Sequence, residues 1–150
     1  MTKPKSPALK GYNVACPYLM VNDVEAELNF IENVFGGEII ERVEHPDGFL
    51  IHGEARIRDS VIMIGKIRKG FPAVESMVYV FRKDVEQTYL SALEHGAESI
   101  SKPAMKFYGM KEAGVKDLQG VQWWIAEIVE QVSGEEMKRR LQEQVRNPQT

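Results

Sequence analysis

His52, Glu54 and Arg56 alternate along one short stretch. Alternation places all three on one face of a strand. There an imidazole, a carboxylate and a guanidinium can recognise an anionic or polar ligand, with Arg56 supplying a bidentate fork and Glu54 orienting His52. The same pattern also describes a solvated strand face, or an ion pair at a subunit contact. A second set, Met63, Met77, Tyr108 and Trp124, would form an aromatic and thioether wall suited to a flat or flexible apolar ligand; its plainer reading is ordinary core. Tyr18 either lines the same pocket through its hydroxyl or fills a strand's inner face. Cys16, the sole cysteine, would need a base to act as a nucleophile, and His52 is the one candidate on an inward face. A buried, inert thiol is the plainer alternative. His45, in a turn, and His95, at a helix end, read as surface residues.

The elements that must carry these side chains come from a repeat. Tyr18 to Gly36 reads as an apolar strand running into an amphipathic helix that glycine stops, and Tyr79 to Gly96 repeats it. Tyr18, Asp23, Val24 and Glu25 recur 61 residues later as Tyr79, Asp84, Val85 and Glu86. Val24, Leu28 and Ile31 make the buried stripe of the first helix, and Val85, Tyr89 and Ala92 that of the second. Asn22 with Glu25, and Asp84 with Gln87, have capping-box spacing.

Taken in order, residues 1–11 read as a loose arm and 13–21 as a strand, which Pro17 confines to a sheet edge or a bulge. After the first helix, 38–44 resumes as a strand, His45-Pro46-Asp47-Gly48 turns, and 49–57 pairs with 60–65 across a two-residue Arg58-Asp59 loop. That register puts Ile51, Ala55 and Ile57 with Ile62 and Ile64 toward the helix, leaving His52, Glu54 and Arg56 on the opposite face. Residues 66–73 connect the units. The second unit reads as a strand over 75–82, a helix over 84–95 and a weak strand over 98–101 broken by Lys102-Pro103. A loop over 106–114, a short strand over 113–117 and a closing strand over 121–129 follow. Ser133 to Glu136 is a capping box, and Met137, Leu141 and Val145 form a thin stripe by which a C-terminal helix over 133–146 docks; residues 147–150 fray.

The length of 150 residues and net charge of −3 suit one domain with a sizeable core, and the absence of a long basic block argues against nucleic acid. A single cysteine suits a reducing compartment, and neither a signal peptide nor a membrane span is visible. The expectation is a cytoplasmic protein without membrane partners.

Two β-α-β-β-β units with Pro17-Tyr18-Leu19, the hairpin from His52 to Met63, and Trp123-Trp124-Ile125-Ala126 resemble the vicinal oxygen chelate superfamily of glyoxalase I, bleomycin-resistance proteins and extradiol dioxygenases. The PhnB-like branch looks nearest, through Tyr108-Gly109, Gly114-Val115-Lys116-Asp117 and Val132-Ser133-Gly134-Glu135-Glu136-Met137. The resemblance covers roughly residues 13–145 and implies paired sheets enclosing a cleft, with dimerisation common. In catalytic relatives His, Glu, His and Glu hold a divalent metal, one from the first and last strand of each unit. Carried over, those positions fall on Cys16, Met63, Met77 and Trp124, a set that does not hold such a metal, and a slip of one residue does not restore it. The closing turn reads Asp117-Leu118-Gln119-Gly120 where the branch has Asp-Pro-Phe-Gly.

The reading is thus an α+β fold of two β-α-β-β-β modules, about 12–66 and 74–130, forming a paired-sheet cleft, plus a short C-terminal helix. Cys16, Tyr18, His52, Glu54, Arg56, Met63, Met77, Tyr108 and Trp124 line the cleft. The expected function is binding of a small organic molecule by a homodimer, with no metal or cofactor. The alternatives are a metal-dependent lyase or dioxygenase using His52 and Glu54, and a structural dimer module without ligand.

Overall fold

The computed structural model describes residues 3 and 5–148; residues 1, 2, 4, 149 and 150, parts of the expected arm and the expected frayed end, lie outside the described residues. The elements are β1 (Tyr18–Val21), α1 (Val24–Phe35), β2 (Glu38–Glu44), β3 (Leu50–Ile57), β4 (Ser60–Lys66), β5 (Met77–Phe81), α2 (Val85–Glu94), β6 (Glu98–Met105), β7 (Met110–Lys116), β8 (Gln122–Ile128) and α3 (Gly134–Arg146). They form two four-stranded sheets of the same topology, ordered β1-β4-β3-β2 and β5-β8-β7-β6. In each the first strand runs parallel to the last, as a strand followed by a helical crossover requires. This is the α+β paired-module fold expected.

Helices α1 and α2 each start at an aspartate. Asp23 and Asp84 accept the amide protons of Ala26 and Gln87, each at 3.0 Å, satisfying a donor that the helix start leaves free. The first cap is therefore Asp23 and not Asn22, and the two caps keep the 61-residue offset of the repeat. Gly36, with φ of 65°, ends α1 in the left-handed conformation, which glycine adopts without a Cβ penalty. The Arg58-Asp59 loop has two residues, Ile57 faces Ser60 and Ala55 faces Ile62, the register expected. Pro17 precedes β1, an edge strand, so its missing N–H costs no ladder bond.

The helix-facing sides of the two sheets merge into one core. Leu28 and Ile31 of α1, Ile62 and Ile64 of β4, and Trp123 and Ile125 of β8 are essentially inaccessible. Trp123, fully buried, joins the halves: its ring lies 4.8 Å from that of Phe35 and 6.2 Å from that of Phe30. Polar contacts follow the same seam. Arg82 Nη1 donates to Phe35 O at 2.9 Å, and the Asp23 amide donates to Gln119 Oε1 at 3.0 Å. Glu27 of α1 lies 1% exposed in this seam.

Four further expectations change. The first strand is Tyr18–Val21, not 13–21, because residues 13–17 bend across the sheet face. The expected weak strand continues as β6 through Lys102-Pro103; β6 is an edge strand and its register slips between Ser101 and Ala104, which accommodates proline. The expected loop over 106–114 is a turn followed by β7, which spans Met110–Lys116. Finally, α3 buries no residue: Leu141 and Val145 face solvent, and Arg140 is what ties the helix down, through Glu130 and the Phe107 carbonyl.

Candidate functional site

Because the helix-facing sides share the core, the opposite faces of both sheets point away from it. The first carries His52, Glu54 and Arg56 on β3, Met63 on β4 and Tyr18 on β1. Glu54, only 7% exposed, accepts the Tyr12 hydroxyl on Oε2 and the His52 ring through Oε1 at 3.1 Å. His52 Nδ1 meets the Tyr18 hydroxyl at 3.0 Å, and the bond to Glu54 raises the Tyr12 phenol above its ordinary value. The Tyr18 ring lies over Gly65, where a Cβ would come within 2.7 Å of it, so glycine is what lets the ring lie flat on β4. Arg56 Nη2 donates to the Gly11 carbonyl at 3.2 Å, while its Nε is buried and has no partner among the described residues.

The second outer face is built the same way. Tyr18 pairs with Met63 on the first sheet, Tyr79 with Trp124 on the second. Gly65 faces His52, and Ala126, at its repeat position, faces Glu112. His52 and Glu112 therefore occupy equivalent places, each touched by the equivalent tyrosine. Glu112, 6% exposed, accepts the Tyr79 and Tyr108 hydroxyls at 2.7 Å each. Burial first, then these bonds to the carboxylate, raise both phenols, because ionising either would set an anion beside an anion. Where the first face has Glu54 the second has Gly114, and the Trp124 ring fills the space, 2.9 Å from where a Cβ would stand.

The expected residues thus fall into two groups: Cys16, Tyr18, His52, Glu54, Arg56 and Met63 on one face, Met77, Tyr108 and Trp124 on the other. Among the described residues no hydrogen bond or ring contact links the groups. A shallow cavity of about 290 Å³ on the first face is lined by Leu9, Tyr12, Val14, Cys16 and Met63, among others. Cys16 Sγ donates to the Asn13 carbonyl at 3.3 Å, and among the described residues no hydrogen bond joins it to His52. His45 behaves as read, stacking on Phe49 in its turn at 4.5 Å, while Trp123 packs under α1 against Phe30 and Phe35.

Sequence reasoning missed Tyr12, Tyr79 and Glu112 as site residues. Tyr12 follows the stretch read as a loose arm, and Glu112 lay in the expected loop. Tyr79 was visible in the repeat as the counterpart of Tyr18, which was the signal for its role.

The metal positions of the family do not fit a metal here. Met63 and Trp124 lie at equivalent points of the two sheets, offering a thioether and an indole whose N–H donates to Gln122 Oε1 at 3.2 Å. Among the described residues no group of three or more His, Cys, Asp or Glu side chains is placed to hold one. His52 and Glu54, the alternative pair, have their ring nitrogens and carboxylate oxygens engaged with Tyr18, Tyr12 and each other.

Comparisons with known proteins agree with this architecture. An uncharacterised protein of Mycobacterium bovis is 24% identical over 139 residues, spanning 85% of this chain and 91% of its own. TioX from Micromonospora sp. ML1 superposes with a TM-score of 0.63 at 18% identity, covering 75% of this chain and 98% of that one. A glyoxalase/bleomycin resistance protein/dioxygenase family enzyme from Burkholderia phytofirmans PsJN gives 0.63 at 18% identity, covering 74% and 94%. The family model described as Glyoxalase/Bleomycin resistance protein/Dioxygenase superfamily matches residues 13–125. With three quarters of its length matched and both halves folded as that pattern requires, the chain belongs to the glyoxalase/bleomycin resistance protein/dioxygenase superfamily.

Proposed function

We propose that this PhnB-like protein binds a small organic molecule in a cleft that two copies of the chain complete. The observation that carries the reading is the pair of buried carboxylates, Glu54 and Glu112, each held by phenols on a sheet face turned away from the core. Such faces expose aromatic and thioether surface: Met77 is 62% exposed, Phe81 58%, Tyr18 46% and Tyr79 42%. Exposed apolar surface ringed by polar groups is what a binding face presents. A two-fold pairing that lays the first face of one copy on the second face of its partner would create two equal clefts and cover both surfaces. The ligand would then meet His52, Glu54 and Arg56 on one wall and Trp124, Met77 and Tyr108 on the other. Recognition of this kind needs no metal, which the donor set does not fit.

The test is a thermal-shift screen of aromatic and heteroaromatic compounds, since a molecule that binds only the native state raises the midpoint by mass action. For any compound found, Trp124→Ala lowers affinity about tenfold or more. An unchanged affinity removes Trp124 from the cleft wall, and a screen without a shift defeats the reading.

A further inference from the structure

The first face is already partly occupied, by its own chain. Residues 11 and 12 answer two of the three polar side chains of β3: the Tyr12 hydroxyl is on Glu54 and the Gly11 carbonyl is on Arg56 Nη2. Beyond these contacts the segment is held to β4 by Asn13, whose Oδ1 accepts the Val61 amide at 3.0 Å. It has no regular structure over 13–17, and its apolar side chains face water, Leu9 at 68% and Val14 at 76% exposure. The fit is also incomplete. One carbonyl oxygen satisfies one guanidinium nitrogen, and among the described residues Arg56 Nε stays buried without a partner. A buried, unanswered donor is costly, and a native structure that carries one invites an explanation.

A carboxylate supplies what the carbonyl does not. Its two oxygens can take Nε and Nη2 together in the side-on bidentate geometry that guanidinium favours. A hydroxyl on the same molecule would replace the Tyr12 phenol on Glu54.

We propose that Gly11-Tyr12 is an intramolecular stand-in for the ligand of this face, which is a hydroxyaryl carboxylate that displaces the segment, pairing its carboxylate with Arg56 and its hydroxyl with Glu54. This names the ligand class for the function proposed above and rests on that reading, yet the contacts concerned lie within one chain. Displacement exchanges noncovalent contacts only, so no bond is made or broken.

The probe is 3-(4-hydroxyphenyl)propionate, whose phenol matches the Tyr12 side chain and whose carboxylate lies one chain atom short of the Gly11 carbonyl carbon, toward Arg56. Titration calorimetry on the full-length Tyr12→Ala variant is expected to show binding at least tenfold tighter than in the wild-type protein. Replacing the probe by 3-phenylpropionate, which lacks the hydroxyl, or by 3-(4-hydroxyphenyl)propionamide, which lacks the charge, weakens binding about tenfold in each case. Arg56→Gln in the Tyr12→Ala background removes the preference for the acid over the amide. Equal affinities in wild type and Tyr12→Ala, no detectable binding in either, or equal binding of all three compounds overturns the proposal. Should Tyr12→Ala fail to fold, Tyr12→Phe keeps the ring, frees Glu54 and serves in the same titration with the same expectations. Light scattering on the same samples reports the oligomeric state separately, so failure of the dimeric cleft and failure of this ligand class give different results.

Discussion

Glu27 packs against Asp117 across the seam between the two halves. Asp117 accepts the Gln119 and Val121 amides and the Trp123 indole N–H at 2.8–3.0 Å. Burial, and then the Asp117 carboxylate beside it, push the Glu27 carboxyl from 4.5 up to about 10. A carboxyl whose folded value is raised keeps a proton that the unfolded chain has lost, so stability is complete below about 4.5 and declines as pH rises toward about 10. Glu27→Gln, which preserves shape and removes the titration, should flatten that decline. Urea denaturation between pH 6 and pH 9 is expected to cost the wild type up to about 4 kcal/mol more than the variant, at about 1.4 kcal/mol per pH unit. Equal slopes for both proteins would mean that Glu27 is ionised in the seam.

At the level of elements, α1 lies on β3 because Gly53 leaves room for it. A Cβ there would stand 2.7 Å from Leu28 Cδ1 and 3.1 Å from Val24 Cγ1, and Leu28, fully buried, has nowhere to swing. Gly53→Ala should therefore lower unfolding stability by about 1–3 kcal/mol, read as a drop in thermal midpoint; an unchanged midpoint would mean that the helix can lift at no cost. The repeat, the Asp84 cap and the His52-Glu54-Arg56 register were legible in the sequence, because each is written in local spacing; the first cap was read one residue early, at Asn22 instead of Asp23. Tyr12 was not legible, since a segment without hydrophobic period gives no sign that its hydroxyl will reach a carboxylate 42 residues away. Glu112 was hidden for a different reason. Glycines at 109 and 114 and alternating charge between them imitate a loop, while β7 is stabilised by pairing on both sides, which only the assembled sheet provides. The stripe of α3 was legible but misleading: Leu141 and Val145 keep helical spacing yet stay exposed.

For the whole molecule, the two outer faces are the surfaces left to account for. Phe81 and Tyr79 meet edge to face at 5.4 Å between ring centres and, with Met77, make an apolar strip on β5. If a second copy covers this strip, Phe81→Glu places a charge in the contact and yields a monomer by light scattering, with the far-ultraviolet dichroism unchanged. A wild-type protein that is already monomeric at micromolar concentration would refute the pairing. The interior has a consequence of its own. Trp123 comes from the second half and is seated against Phe30 and Phe35 of the first, so neither half possesses a finished interior. An ancestor one repeat long would have exposed that unfilled side and could have persisted only with a twin supplying the missing rings. Gene fusion would then have made an obligatory partnership covalent, freeing the two sheets to diverge, toward a histidine on one and a glutamate on the other.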